Sequence, residues 1–250
     1  MKKSLIVLCT LLVTNAYSKT ECISHRGNNI DHYENSISSI ESALKMGAGV
    51  EFDVRHTLDK VSVILHDKKL KRTYEKLTQQ CNLRKKISKQ NYSQIADNCV
   101  QKDGLPIPKF EDFLKLISMY DQKVFIEFKD MPLENDIKLI KKNFPRRLNN
   151  VFIISFNKDY LNKVKYYISK YNLSKITILK LDVITKKNTV IFDGVDVRKI
   201  KKAKILKLKK KNQKISVWVK DSTKTIQKYI DLNVDFITTN NPRKCLRLLK

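Results

Sequence analysis

Glycine and proline are scarce in this sequence, with only 5 of each among 250 residues. That is too few for a flexible or Pro-rich linker. No fixed-period repeat or low-complexity tract divides the chain, so no internal domain boundary is drawn. Acidic residues are also few: 25 Asp and Glu face 51 Lys and Arg, for a formal charge of +26. Such a charge attracts polyanions. The chain is rich in Lys, Ile and Asn together, a compositional drift that accounts for much of the charge. The charge therefore supports an anionic substrate without choosing one. No CxxC or Cys/His spacing suggests zinc. What is present is enough apolar residue, 42%, to bury one sizeable core.

A long apolar run is missing too. Ser4–Thr14 is a short apolar stretch, well below the roughly 20 residues a helix needs to cross a bilayer. It follows the basic Met1-Lys2-Lys3 and precedes Ala16-Tyr17-Ser18, a small-x-small cleavage pattern. Residues 1–18 therefore read as a signal peptide, and the mature chain, 19–250, is expected to begin near Lys19 and to be exported, periplasmic or secreted. Cys9 sits behind Leu8 in the apolar stretch and makes a poor lipobox. Removing this segment lowers the charge to about +24 and leaves Cys22, Cys81, Cys99 and Cys245, an even number for an oxidising compartment. Cys81 and Cys99 share an irregular stretch and could close a short loop, constraining the unfolded chain by roughly 3 kcal/mol; four free or buried thiols are the alternative.

Short β-type runs recur at Glu21–Ser24, Val50–Val54, Val61–Leu65, Val124–Phe128, Val151–Ser155, Ile176–Leu179, Val190–Phe192, Ile215–Val219 and Phe236–Thr238. Helix-like segments lie between most of them: Glu34–Met46, Lys109–Met119, Leu133–Lys142, Lys158–Lys170, Val197–Lys211 and Ser222–Leu232, with a short last helix opened by Pro242. Repeated β-then-α argues a parallel sheet with helices outside it, and about eight such units fit an α/β fold of the (β/α)8 TIM-barrel type. Residues 68–105 break the rhythm. They are polar, hold two cysteines and follow His66 directly, so they form an insertion expected to overhang whatever His66 does.

Only four histidines occur, and two of them frame an acidic pair: Ser24-His25-Arg26-Gly27, Glu51-Phe52-Asp53 and His66-Asp67. On a strand, Glu51 and Asp53 point to the same side. Facing carboxylates repel unless a cation joins them, and a hard divalent ion is the usual answer. Glu127, late in its own strand, supplies a third acid. Arg26 can hold a phosphate oxygen, and Gly27 lets the backbone pass beneath a ligand. Asp67 stands where it could orient an imidazole. His32 and His56 read as loop residues. Proton-transfer groups, a cation site and an arginine together are a kit for cleaving a phosphate ester.

These segments resemble the glycerophosphodiester phosphodiesterase family, a (β/α)8 group. Its pattern of His-Arg-Gly, Glu-Asn, Glu-x-Asp-Val, His-Asp and Arg-Thr is similar to His25-Arg26-Gly27, Glu34-Asn35, Glu51-Phe52-Asp53-Val54, His66-Asp67 and Arg72-Thr73. Ile107-Pro108-Lys109-Phe110-Glu111, Ile126-Glu127-Phe128-Lys129, Ser155-Phe156, Val217-Trp218-Val219 and Asp235 through Pro242 continue it in the family's order. The resemblance implies Ca2+ or Mg2+ bound by Glu51, Asp53 and Glu127, an acid–base pair of His25 and His66, phosphate contacts from Arg26 and Lys129, and a pocket wall at Trp218. It also implies hydrolysis of glycerophosphodiesters to glycerol 3-phosphate and an alcohol, with a glycerophosphodiester or lysophospholipid as the small-molecule substrate. No nucleic acid is implied, and peripheral contact with an anionic membrane surface is left open.

Tyr33 replaces the family's Pro, Arg55-His56 adds positive charge near the mouth, and Val219-Lys220-Asp221 replaces Thr-Val-Asn after the tryptophan. The last change puts leaving-group specificity in question. Two rival readings are a sphingomyelinase-D-like phospholipase, whose third metal acid is typically aspartate, and an inactive basic barrel that binds anionic surfaces through its lysine-rich helices.

Overall fold

The computed structural model describes residues 20–184 and 192–250; the expected signal segment and most of the expected strand Val190–Phe192 lie outside them. The elements are, in order, β1 (Glu21–His25), α1 (Ile37–Lys45), β2 (Gly49–His56), β3 (Ser62–Ile64), β4 (Tyr74–Lys76), α2 (Tyr92–Ala96), β5 (Cys99–Gln101), α3 (Phe110–Ile117), β6 (Val124–Phe128), α4 (Glu134–Asn143), β7 (Val151–Ser155), α5 (Lys158–Lys170), β8 (Thr177–Ile184), β9 (Gly194–Lys199), α6 (Lys202–Lys209), β10 (Lys214–Val217), α7 (Thr223–Asp231), β11 (Phe236–Thr239) and α8 (Pro242–Leu248).

Parallel strands cannot be joined by tight turns, so each returns through a crossover. Here the order β1-β11-β10-β9-β8-β7-β6-β2, closed by a β1–β2 pairing, makes a barrel of eight parallel strands. Strand alternation divides the residues between two cores. Val50, Phe52 and Val54 of β2 face outward and pack with Leu44 of α1 and Phe110 and Phe113 of α3, the Phe52 and Phe113 rings meeting edge-on at 5.2 Å. Inside the barrel, Ile23, Phe125, Phe152, Leu179 and Phe236 form a plug. Phe125 stacks on Phe152 at 4.7 Å, and both meet Phe236 edge-on. The plug closes the barrel below the strands' C-terminal ends, where polar residues take over.

All four cysteines among the described residues are paired. Cys81–Cys99 closes the insertion, and Cys22–Cys245 ties β1 to α8 with Cα atoms 6.0 Å apart. The second bridge spans 223 residues of sequence, and in the chain-entropy model a loop of that size is worth about 5 kcal/mol. The insertion is more than an irregular loop. β4 and β5 pair antiparallel, and Leu70, Tyr74, Ile87, Ile95 and Ile107 build a small core with the disulfide. Gln101 Nε2 donates to the Glu34 carbonyl at 2.7 Å, fastening the insertion to the loop after β1.

Three expectations change. Val61–Leu65 is not a barrel strand: β3 pairs antiparallel with β2 outside the cylinder. A strand not anticipated, β9, runs at Gly194–Lys199, and the helix expected from Val197 starts at Lys202. Its sequence, Gly194-Val195-Asp196-Val197-Arg198, alternates apolar and polar because only Val195 and Val197 face the helices, so no continuous apolar run marks it. His56 is not a loop residue either. It ends β2, is buried, and its Nε2 lies 2.9 Å from Asp136 of α4.

Candidate active site

The chain leaves β1 in a tight turn, with Arg26 and Gly27 at positive φ of 57° and 78°. Gly27 is required there, since a Cβ would fall 2.6 Å from the carbonyl carbon of Ser39. The turn aims the Arg26 amide at Glu51 Oε2, 3.0 Å away, and returns its side chain over the barrel mouth. The guanidinium lies 3.3 Å from Asp53 and 2.9 Å from Glu34. Register does the rest: His25 stands beside Glu51, and Asp53 beside Glu127.

Glu51, Asp53 and Glu127 each offer a carboxylate oxygen, all within 4.8 Å of one another, and all three residues are buried. Lys129 Nζ sits 2.6 Å from Glu127 and 3.2 Å from Asp53. Asn35, also at positive φ, donates to Asp53 Oδ2 at 2.9 Å. Asp53 Oδ1 is buried and accepts no hydrogen bond, having only the Lys129 ion pair. Burial, then mutual repulsion from Asp53 and the other acid, pushes Glu51 well above the ordinary carboxylate range. Burial and the Asp53 charge push Glu127 up to about 7. At Asp53 burial acts in the same direction, but Lys129 and Arg26 outweigh it and hold that carboxyl low. An all-oxygen, acid-rich cluster with an unsatisfied buried oxygen fits a hard divalent cation.

Each histidine has one nitrogen spoken for. His25 Nδ1 lies 2.8 Å from Asn240 Oδ1. The Asn240 amide is fixed because its Nδ2 donates to Asp221 while Asn29 donates to its Oδ1. His25 therefore donates from Nδ1, and its Nε2 faces the acids, 4.0 Å from Glu51. His66 Nδ1 is 2.8 Å from Asp67 Oδ1. Asp67 accepts from Arg72, which forks onto Glu34 at 2.5 and 2.7 Å, and Glu34 in turn pairs with Arg26. A carboxylate can only accept, so His66 also presents Nε2. Burial, followed by Arg26, lowers the His25 pKa; burial lowers that of His66, with Arg26 and Lys129 adding to it.

The structure thus brings His25, Arg26, Glu51, His66, Glu127, Lys129 and Trp218 around one cavity of about 90 Å³, with Asp53 packed behind. Ile154, Phe156 and Leu181 complete the apolar side, and Phe156 meets Trp218 edge-on at 5.7 Å. Arg55 does not add free charge to the mouth. It is buried, paired with Asp130 at 2.8 Å, and donates to the His66 carbonyl. Sequence reasoning gave no role to Asn240, Asn35 or the Glu34–Arg72 fork. Their signal lay in the Glu34-Asn35, Arg72-Thr73 and Thr239-Asn240 motifs, but only coordinates show what they hold.

A profile of the glycerophosphoryl diester phosphodiesterase family matches residues 25–244. The chain belongs to that family. A glycerophosphodiester phosphodiesterase of Caldanaerobacter subterraneus subsp. tengcongensis is 27% identical over 247 residues, covering 93% of this chain and 98% of that one. Bovine glycerophosphodiester phosphodiesterase 1 is 28% identical over 154 residues, 59% of this chain and 46% of the bovine protein; the chain spans about half the length of the mammalian relatives it matches. Among solved structures, a glycerophosphodiester phosphodiesterase from Parabacteroides distasonis superposes with a TM-score of 0.73 at 26% identity, covering 93% of this chain and 97% of the other. An Oleispira antarctica phosphodiesterase, solved with the product sn-glycerol-3-phosphate, shares the fold at a TM-score of 0.76 and 18% identity, over 92% of this chain and 96% of that one. The family's His-Arg-Gly start falls on the turn that places His25 and Arg26, and its acidic pair on β2.

Proposed function

We propose that the protein hydrolyses glycerophosphodiesters to glycerol 3-phosphate and an alcohol, assisted by Ca2+ or Mg2+, with His25 and His66 as the acid–base pair. The observation that carries this is the pairing of two imidazoles, each with Nδ1 anchored and Nε2 free, beside three clustered carboxylates and two cations in one cavity.

Glu51, Asp53 and Glu127 are the residues that would hold the divalent cation, which would offset charge building on the phosphate oxygens. Arg26 and Lys129 would receive the non-bridging oxygens. One histidine takes the proton from the glycerol hydroxyl next to the ester, and that oxygen bonds to phosphorus. The P–O bond to the alcohol breaks, and the other histidine protonates the departing oxygen. Water then opens the cyclic phosphate with the two proton roles reversed. The substrate's own hydroxyl serves as nucleophile, so no enzyme nucleophile is needed. Export through loss of residues 1–18 belongs to the same proposal, supported by two disulfides that suit an oxidising compartment.

The test is release of glycerol 3-phosphate from glycerophosphocholine by purified protein, with chelator and with Ca2+ and Mg2+ separately. Metal-dependent release is expected. Activity on sphingomyelin or lysophospholipid alone would favour the sphingomyelinase-D-like reading, and no turnover on any of them would favour the inactive barrel. N-terminal sequencing of exported protein should begin at Lys19, and an intact Met1 would refute export.

A further inference from the structure

The acids of the metal cluster are not the only carboxylates inside the barrel. Val195 and Val197 of β9 face the helices, which turns Asp196 inward, where it lines the same cavity as His25 and His66. Asp196 is only 1% exposed. Its Oδ1 has no hydrogen-bond partner, and neither does the hydroxyl of Thr238 on β11; Ser216 is its register neighbour on β10. Thr238 lines the cavity as well. Buried polar atoms without partners are rare and costly, and a group of them facing a cavity calls for a partner that arrives from it.

We propose that Asp196, with Thr238, is a specificity site that hydrogen-bonds a hydroxyl on the alcohol half of the diester, so that polyol headgroups are preferred. The inference rests on the glycerophosphodiesterase reading and takes the alcohol half to lie against this wall, across the cavity from the carboxylate cluster. A hydroxyl suits the site because it both donates and accepts. Burial pushes Asp196 up to about 7, only partly offset by Ser216 and Lys220, and a hydroxyl matches the carboxyl in either form. An ammonium headgroup matches the ionised form alone.

The test compares glycerophosphoglycerol with glycerophosphoethanol, which share the glycerol phosphate half and differ in the hydroxyls of the alcohol. Wild type should favour the polyol diester in kcat/KM by about 10-fold or more, the scale of one buried hydrogen bond. Asp196→Val should collapse that preference to within about 3-fold, with the loss falling mainly on the polyol diester, and Asp196→Asn should keep part of it. Thermal stability of the valine variant should equal or exceed wild type, since an unpartnered buried acid has been removed. Should that variant not fold, Thr238→Val asks the same question of the neighbouring hydroxyl. Equal losses on both diesters, or no wild-type preference, overturns this inference alone. Hydrolysis of neither diester overturns the proposed function and this inference with it.

Discussion

The two walls of the barrel mouth are built on different principles. On the side of β1, β2 and β6, Arg26, Glu34, Asp53, His66, Asp67, Arg72 and Lys129 form one connected web of ion pairs and hydrogen bonds, with His25 held beside it by Asn240. Facing it, β7, β8 and β10 present Ile154, Phe156, Leu181 and Trp218, with Asp196 of β9 as the lone acid. The charged wall is over-determined: each group is fixed by another, and that second group by a third. The apolar wall has few directional contacts and can accept alcohols of different shape. In the proposed reading, chemistry is held rigid on one side and the choice of alcohol is left to the other.

The comparison can be broken most forcefully at the acids. Glu51→Gln should lower kcat/KM by about 10³-fold on every diester, because a lost metal ligand removes charge stabilisation from the transition state. Near-normal turnover in steady-state assays of a folded variant would remove the metal assignment. His25→Ala and His66→Ala should each lower kcat by roughly 10²-fold or more, and the double variant should lose less than the product of the two, as residues sharing one transition state do. The pH profile should be a bell whose limbs belong to the coupled pair and not to either residue singly.

A smaller effect is expected one step back in the web. Arg72→Met leaves the histidine in place but removes one partner each from Asp67 and Glu34, and a loss of about 10-fold is expected, the low end for partners that orient a working group. It should appear in kcat more than in KM. On the other wall, Trp218→Ala should change KM by only a few-fold, differently for different alcohols, and leave the pH profile alone; a substrate-independent fall in kcat would assign Trp218 to the chemistry.

Stability of the metal-free protein offers a quieter check. Glu127 and Glu51 titrate above the ordinary carboxylate value in the fold. A raised pKa means the folded state holds those protons more tightly, so their effect on stability is favourable at low pH and is lost as pH rises from the unfolded value of about 4.3 through about 7. A bound cation takes the protons' place. The gain in Tm on adding Ca2+ or Mg2+ should therefore be larger at pH 7.5 than at pH 5. An equal gain at both would mean the acids are already ionised and paired.

How much of this was legible in the residues follows from what each signal encodes. Strand alternation put Glu51 and Asp53 on one side, and the lengths of apolar and amphipathic runs gave a (β/α)8 barrel, because both depend on local periodicity. β9 was missed because Asp196 interrupts its apolar pattern, and the same residue breaks the rule because it faces the cavity. His56 looked like a loop residue because the acid it meets, Asp136, lies 80 residues away in sequence: a long-range hydrogen bond leaves no local mark. The Cys22–Cys245 bridge is hidden for the same reason, whereas Cys81 and Cys99 are near neighbours in one segment. The tethers on the histidines, Asn240 and Arg72, required the closed barrel to be seen.

The division of labour between the walls is tested most directly by kcat/KM for two glycerophosphodiesters that differ only in the alcohol, measured in wild type and in His66→Ala. The account predicts that both values fall by roughly 10²-fold while their ratio stays the same, since His66 serves the chemistry and does not read the alcohol. A folded His66→Ala protein that turns over normally, or one whose ratio shifts as much as its rate, would contradict it.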